Sequence, residues 1–575
     1  MPSASESLSA LGVWVIDCQT TGASPAHGVV LEIGWGLCTA GSPEVQRAES
    51  HWVTLPPGER VSSRVRQLTG FDETLATASL EAADVWQRLR AGMEHTARAP
   101  AAIHFAQFEL AFLRDWAMRF EPDSAFPFDA VCLHAIAARL HPDLPRQSLR
   151  ALAGFLGHGL DLTRRCSAHV EATAFIWHRL AAQLAEQGVA TWDELGRWLT
   201  APKPPRPSSR KRRFPLPSAR YRSLPDAPGV YRFLRANGDL LYVGKAASLK
   251  KRVSGHFTAG IATTPRALEM LTQIHDIQIT ETASALEAAL LENEEIKRQR
   301  PLYNLQLTND GHCWFMNAQL DSFRPAPDAE HALGPLPSTF SPRAVGAIRA
   351  LLSGVEASRS LRAVAVETWE RWAPDEAVFV DGFRRFIERQ PELAGSLSPG
   401  APPIDVRRAL PTIARRLLTA LRGAGAASDD AKALDEDEPL ASADSWDPER
   451  VLRHLERAVA HGHQLLARAR WLCLLCDSAV VFREPASQRV RQLTIERGQL
   501  VDARDRGPDE PLPSRGALRP LAERRATFDR SQYDRLRTLT TELKRIQRDG
   551  GIVAVQVGRR RRFAGAELAR LLVAV

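Results

Sequence analysis

The chain has 575 residues, 44% of them hydrophobic and 25% charged, with 75 Lys and Arg against 67 Asp and Glu. That length exceeds what one hydrophobic core serves, so several domains are expected, and the composition excludes a wholly disordered chain. No apolar run approaches the roughly 18 residues of a membrane span, residues 1–10 lack the basic and apolar blocks of a secretory leader, and seven cysteines, an odd number, fit a reducing cytoplasm better than a disulfide framework.

The charge is uneven. Residues 1–200 hold 16 Arg, no Lys and 22 acids, a net of −6; residues 201–312 hold 18 basic residues and 10 acids, a net of +8; residues 313–575 hold 41 and 35, a net of +6. Six of the eight lysines fall in the middle segment, which points to a polyanion partner there.

Taken in chain order, residues 13–16 (Val-Trp-Val-Ile) read as a buried strand and 29–36 as a second. Helices are predicted over 80–93, 109–119, 149–156 and 171–184, and strands followed by helices indicate an α/β domain. Residues 201–228 carry eight prolines and eight basic residues against one acid, so an extended linker is expected. Its run Arg210-Lys211-Arg212-Arg213 either touches phosphates or is a solvated spacer. Next, 229–233 and 240–244 flank Asn237-Gly238, a strong hairpin signal because both residues tolerate positive φ. Helices are predicted at 248–257, 265–271 and 284–298, with a strand at 277–282. Further helices are predicted over 342–352, 367–390, 406–421, 448–470 and 529–549. An acidic low-complexity loop spans 428–447, strands lie within 471–503, and a hairpin over 551–563 is crossed by four arginines at 559–562. Cys473-x-x-Cys476 is read as the core of an apolar strand, since no second pair stands at zinc spacing, and His461-Gly462-His463 as a loop at a helix end.

The chemistry concentrates on the central hairpin. It carries Gly229-Val230-Tyr231 and, eleven residues after that tyrosine, Tyr242-Val243-Gly244-Lys245. Arg252 lies on the next helix, Glu292 on a later one, and Pro301-Leu302-Tyr303-Asn304 follows. Of five tyrosines in the chain, four lie between 221 and 303. These parts suit phosphodiester hydrolysis. Attack on a phosphate builds charge on the equatorial oxygens, which Arg252 can stabilise. A single carboxylate plus substrate phosphate is a typical foothold for Mg²⁺, which keeps most of its waters. A phenol near Lys245 can become acidic enough to deprotonate water, provided a turn after the strand brings the two together. Ser284-x-x-Glu287 reads as a capping box. Helical spacing then puts Glu292 on a small, apolar face with Ala285, Ala288, Ala289 and Ile296, where a carboxylate is expected to have a metal or a base as partner. Glu294 and Glu295 are read as surface residues.

Over about residues 224–307 the chain resembles the GIY-YIG nuclease domain, in the version found in UvrC, the incision subunit of bacterial nucleotide excision repair, and in its shorter homologue Cho. The phrases Pro-Gly-Val-Tyr, Tyr-Val-Gly-Lys, Leu-Lys-Lys-Arg-Val, Leu-Leu-Glu-Asn and Arg-Pro-Leu-Tyr-Asn carry the resemblance. It implies Tyr242 as general base, Tyr231 and Lys245 as its neighbours, Arg252 as phosphate clamp, Glu292 as ligand to Mg²⁺ (or Mn²⁺), and Asn304 as a residue that holds the site. His256 stands where that family usually has Tyr, four residues after the Arg. The resemblance fades after Gly334-Pro335, and neither an ATPase motif nor a second nuclease of the UvrC kind is recognisable, so single-incision chemistry of the Cho kind is the better analogue.

Upstream, Asp17-Cys18-Gln19-Thr20-Thr21-Gly22 ends the first strand, residues 103–109 (Ile-His-Phe-Ala-Gln-Phe-Glu) open a helix, Asp129 follows, and Glu171-Ala172-Thr173 lies further on. Over about residues 11–185 this resembles a DEDDh-type 3′–5′ exonuclease, the proofreading-subunit family. That family holds two Mg²⁺ ions with four acids and activates water with a His. Asp17 matches; Gln19 stands where Glu is expected, Glu109 and Glu171 where Asp is expected, and Cys166 where the His is expected, with His169 three positions off. Three carboxylates in place of four imply a weak or inactive exonuclease that binds DNA ends or a partner.

The architecture expected is α/β and multidomain: an RNase H-like exonuclease fold over 1–200, a linker over 201–223, a small α/β nuclease domain over 224–312, and a mostly helical α+β region over 313–575. The function expected is that of a cytoplasmic DNA-repair endonuclease that acts on damaged DNA with damage-recognition or loading proteins and away from membranes. The alternatives are a 3′–5′ exonuclease and a non-catalytic adaptor that docks on a polymerase or repair complex.

Overall fold

The computed structural model describes residues 6–72, 74, 77–93, 98–160, 165–202, 214–258, 264–304, 307, 311–352, 376–393, 406–424, 447–485, 487–507, 510, 517–559 and 561–575. The basic run 210–213, Arg560, nearly all of the acidic segment and the start of the helix predicted over 367–390 lie outside them. The chain divides into two compact units, Met1–Ala288 with Gln299–Leu305, and Ala289–Arg298 with Gln306–Val575. The division falls within one helix, and the first unit holds both the N-terminal sheet and the central one.

In the first unit, β1 (Val13–Thr20), β2 (Val30–Thr39), β3 (Ser42–Trp52), β4 (Ala99–Ile103) and β5 (Phe128–Cys132) form a sheet in the order β3-β2-β1-β4-β5. The first three strands are antiparallel, while β1–β4 and β4–β5 are parallel. Strand alternation sorts β1 between two cores. Val13 and Val15 pack with Leu152, Val170 and Trp177. Trp14 and Ile16 pack with Phe112, Leu113 and Trp116 on the other face. Among the helices that cover these faces are α1 (Ala106–Phe120), α2 (Leu149–Leu156) and α3 (Cys166–Glu186). Pro100 sits inside β4 without breaking the sheet, because pairing with β1 begins only at Ala101. The unpredicted β3 is an edge strand, mostly exposed and polar, so hydrophobic patterning does not announce it.

The same unit carries a second, antiparallel sheet of β6 (Gly229–Leu234), β7 (Leu240–Ala246) and β8 (Asp276–Glu281), in the order β7-β6-β8. Gly238 closes the hairpin with φ of 88°. Two helices accompany it, α4 (Leu249–His256) and α5 (Pro265–Gln273), and α6 (Ala285–Gln299) is the helix within which the division falls, its residues Ala289–Arg298 belonging to the second unit. Ser248 caps α4 and Thr264 caps α5, each accepting a backbone N–H of the first turn. The linker is shorter than the prolines imply. Leu216 is 2% exposed in the core of this sheet, Phe214 and Tyr221 pack against it, and Ser218–Arg222 is helical. Apolar anchors between the prolines outweigh the extended preference.

The second unit opens with a small sheet of β9 (Trp314–Met316), β10 (Phe323–Arg324) and β11 (Leu333–Leu336). A helical group follows: α7 (Phe340–Leu352), α8 (Glu376–Arg389), α9 (Val406–Ala424) and α10 (Pro448–Leu475). They share a core of Val345, Phe379, Phe386, Ile413, Leu455 and Val459. Then come β12 (Ser478–Arg483), β13 (Val490–Glu496), β14 (Gln499–Arg506), β15 (Ile552–Val557) and β16 (Arg561–Ala564), an antiparallel sheet in the order β14-β13-β12-β15-β16, with α11 (Arg530–Arg548) and α12 (Gly565–Ala574). Two motifs fall differently from expectation. His461-Gly462-His463 lies inside α10, and the glycine there lets α7 cross closely: a Cβ on Gly462 would sit 2.6 Å from Val345 Cγ2 and 2.7 Å from Ser341 O. Cys473 is in the last turn of α10 and Cys476 follows it, both buried, in place of the expected strand. Among the described residues no helix is long and apolar enough to cross a membrane.

Candidate active site

The register of the central hairpin sets Tyr231 opposite Gly244 and Phe233 opposite Tyr242. With period-two alternation, one face then carries Tyr231, Phe233 and Tyr242 over a bare glycine. A Cβ on Gly244 would lie 2.5 Å from Tyr231 Cζ and Oη and 2.7 Å from Tyr242 Cε1, so glycine is what lets the two phenol rings approach, centroids 6.0 Å apart. His256, at the end of α4, closes the cluster. Its Nε2 lies 2.8 Å from Tyr231 Oη, and its ring stands edge-on to Phe233 and Tyr242. Burial among these rings, helped by the Arg252 guanidinium, pulls the imidazole down to about 4, so it is neutral at pH 7. Arg252 is exposed on α4, one turn before His256.

The backbone of β7 is held from outside the sheet. Asn304 Oδ1 accepts from Val243 N at 3.0 Å and Asn304 Nδ2 donates to Val243 O at 2.9 Å, while Tyr303 N donates to Leu241 O at 2.9 Å. The side chain of Asn304 thus serves as a short extra strand beside Tyr242. The turn expected between Tyr242 and Lys245 is absent: β7 continues through Lys245, which is half-buried, to Ala246. On α6, Ser284 accepts from Glu287 N at 3.2 Å and donates to Glu287 Oε1 at 3.0 Å, the expected start. Ala285, Ala288, Ala289 and Ile296 are buried and Glu292 is half-buried among them. Glu294 is exposed as expected, but Glu295 is 3% exposed and not a surface residue.

The N-terminal cluster is arranged otherwise than the spacing implied. Gln19 Nε2 donates to Asp17 Oδ2 at 3.0 Å, and His169 Nδ1 lies 3.1 Å from both Asp17 oxygens. Burial pushes the Asp17 carboxyl up, but the paired His169, with Gln19, brings it below its ordinary value. Burial and the neighbouring Asp17 push Glu109 well above the carboxylate range, and its Oε2 has no hydrogen-bond partner. Glu171 does not join them. It is exposed on α3, because residues two apart on a helix point about 200° apart, and His169 is the residue of that helix that faces Asp17. Cys166 is buried and donates to Glu32 O, its thiol pushed up by burial. Asp129 accepts from Trp192 Nε1 at 2.9 Å. Sequence reasoning missed Glu32, which is fully buried and bound by Arg165 and Ser50; nothing in the local pattern of β2 marks it. A two-metal centre needs several ionised carboxylates around one space. Here an amide and an imidazole occupy the oxygens of Asp17, and among the described residues no group of three or more His, Cys, Asp or Glu could hold a metal ion. These residues do not fit that centre.

Residues 227–305 match the family model of the UvrC-like GIY-YIG domain, a span that takes in β6, β7, α4, α5, β8, α6 and Asn304. The chain thus carries a UvrC-like GIY-YIG domain. The UvrABC system protein C of Alkalilimnicola ehrlichii is 50% identical over 94 residues, 16% of this chain and 15% of that protein. That of Methylococcus capsulatus is 47% identical over 88 residues, 15% of this chain and 14% of its own. The chain therefore spans only about a seventh of the length of these curated relatives. Among solved structures, the magnesium-bound GIY-YIG N-terminal endonuclease domain of UvrC from Thermotoga maritima shares 28% identity, over 15% of this chain and 93% of that one, with a TM-score of 0.14. Exonuclease X in complex with 5′ overhanging duplex DNA shares 18% identity, over 31% of this chain and 93% of that one, with a TM-score of 0.23.

Proposed function

We propose that the protein is a DNA-repair endonuclease whose central domain hydrolyses one phosphodiester bond near damage, in the manner of Cho. The carrying observation is the cluster of Tyr231, Tyr242 and His256 over Gly244, braced by Asn304, within the segment that matches the UvrC-like domain. Tyr242 takes the proton of the attacking water. Tyr231 and His256 share a hydrogen bond that orients the phenols, and a neutral imidazole serves this as the family's usual tyrosine would. Arg252, exposed, grips the equatorial oxygens of the phosphate, with Lys245 adding positive charge. A single half-buried carboxylate on a small-residue helix face suits a hard, mostly hydrated cation. Glu292 would hold Mg²⁺ (or Mn²⁺), which supplies charge neutralisation on the scissile phosphate. DNA is the substrate, loaded with damage-recognition proteins of excision repair in a bacterial cytoplasm.

The N-terminal domain, on this reading, is a DEDDh-like fold that has lost its metal chemistry and binds DNA ends or a partner. The exposed Glu171 and the amide of Gln19 support that. The test is nicking of lesion-bearing supercoiled plasmid by the full-length protein in Mg²⁺. Glu292→Ala and Arg252→Ala are expected to lower the rate by at least about a hundredfold. Cutting at the wild-type rate by both variants sinks the reading. Release of mononucleotides from 3′-labelled DNA by the Glu292→Ala protein would restore the exonuclease alternative.

A further inference from the structure

A chain of polar contacts, most of them part-buried, joins the N-terminal domain to the backbone of the nuclease site. At the start of α2, Ser148 Oγ donates to Glu269 Oε2 at 2.8 Å and Arg150 Nη1 donates to Glu269 Oε1 at 3.1 Å. Glu269 lies on α5, and the Arg150 and Glu269 side chains are only 12% and 15% exposed. Tyr303 Oη donates to the same Glu269 Oε1 at 3.0 Å, and accepts from Gln273 Nε2 at 2.6 Å. Gln273 Oε1 in turn accepts from Arg235 Nε at 3.1 Å, next to the hairpin turn. Tyr303 is the residue before Asn304, and the two together pin β7 at Leu241 and Val243, on either side of Tyr242. The fit between the domains is close as well as polar. A Cβ on Gly154 of α2 would sit 2.5 Å from Gln273 Cγ, and one on Gly159 would sit 2.5 Å from Arg235 Nη1.

We propose that the N-terminal domain is a positioning frame for the nuclease: Arg150 and Ser148 fix Glu269, Glu269 fixes Tyr303, and Tyr303 with Asn304 fixes the strand that presents Tyr242. This rests on the nuclease reading of the central site. An aromatic hydroxyl held by a largely shielded ion pair is restricted in place, so the strand it anchors is held without reorganisation when charge develops at the phosphate. The domain would then be kept for rigidity after losing its own metal chemistry. Glu269 and Tyr303 are positioning residues and touch no reacting atom.

Two measurements on the full-length chain test this. Hydrogen exchange reads the Val243 and Tyr303 amides, which bond Asn304 Oδ1 and Leu241 O. Single-turnover nicking at saturating and limiting plasmid separates the rate from affinity. Arg150→Ala and the near-isosteric Glu269→Gln are expected to speed exchange at both amides and to lower the saturated rate by about tenfold with the half-saturating DNA concentration unchanged. Arg150→Lys, which keeps the charge, is expected to recover most of the rate. Unchanged exchange overturns the frame, as does faster exchange with an unchanged cutting rate, or a loss confined to affinity. If the wild type cuts nothing even with damage-recognition proteins of excision repair added, the nuclease reading fails by itself, and the exchange measurement still upholds or overturns the mechanical link.

Discussion

Gly244 and His256 set the character of the site at the level of single residues. The phenols of Tyr231 and Tyr242 occupy the space in which any other residue at 244 would place its Cβ. Gly244→Ala is therefore expected to cost about 1–3 kcal/mol of stability through overpacking and to abolish nicking, read by denaturant unfolding alongside the plasmid assay. His256 makes a separate, pH-dependent prediction. Its folded value, about 4, lies below its ordinary 6.5, so the folded state disfavours the protonated ring. Its contribution is full above pH 6.5 and is lost as the pH falls toward 4, a total of about 3 kcal/mol at one pKa unit per ~1.4 kcal/mol. His256→Tyr, which restores the usual residue of the family, is expected to cut DNA and to lose that part of the acid dependence. A pH–stability curve identical to wild type would place the imidazole outside the aromatic cluster.

Among the elements, the packing of α2 against α5 is the joint most exposed to a small change. Gly154 is a glycine in a helix interior, where it ordinarily costs about 1 kcal/mol relative to Ala. Here the side chain of Gln273 fills the space instead. Gly154→Ala is accordingly expected to destabilise the protein, by about 1–3 kcal/mol, where helix propensity alone predicts a gain; thermal unfolding gives the sign. The joint is also sensitive to acid. Burial raises Glu269, but Arg150, Ser148 and Tyr303 together hold it below its ordinary 4.5. A carboxyl depressed in this way contributes fully above 4.5 and ceases to contribute as the pH drops through its folded value.

For the whole molecule the charge distribution decides how DNA is met. An N-terminal third at −6 attracts a polyanion less than the +8 of residues 201–312 does. Lys250 is exposed on α4, two residues before Arg252. If it contacts phosphate, Lys250→Ala weakens DNA binding across all sequences and flattens the plot of log affinity against log salt by about one unit. A slope unchanged across a salt titration would remove this lysine from the interface. The family match covers the central domain alone, so the combination of that nuclease hairpin with the N-terminal five-stranded sheet is a property of this molecule and not of the match.

The Asn237-Gly238 turn, the Ser284 cap, the α/β order of the first domain and the tyrosine–glycine spacing of the hairpin all depend on neighbours a few residues apart, so the sequence by itself determines them. The linker end at 214–222 departs from its proline-rich pattern because a few apolar anchors outweigh proline density only where a core exists to receive them. Contacts between distant segments leave no such local record. His169 in place of Glu171 beside Asp17 is a matter of helix phase across 152 residues. Glu269 finds Ser148 across 121 residues and Tyr303 across 34. The pairing of the polar β3 at a sheet edge, Gly462 beneath a crossing helix and the ion pair that braces the nuclease strand are decided by tertiary packing alone, because the free energy of a buried polar or close-packed contact depends on what the fold brings to it.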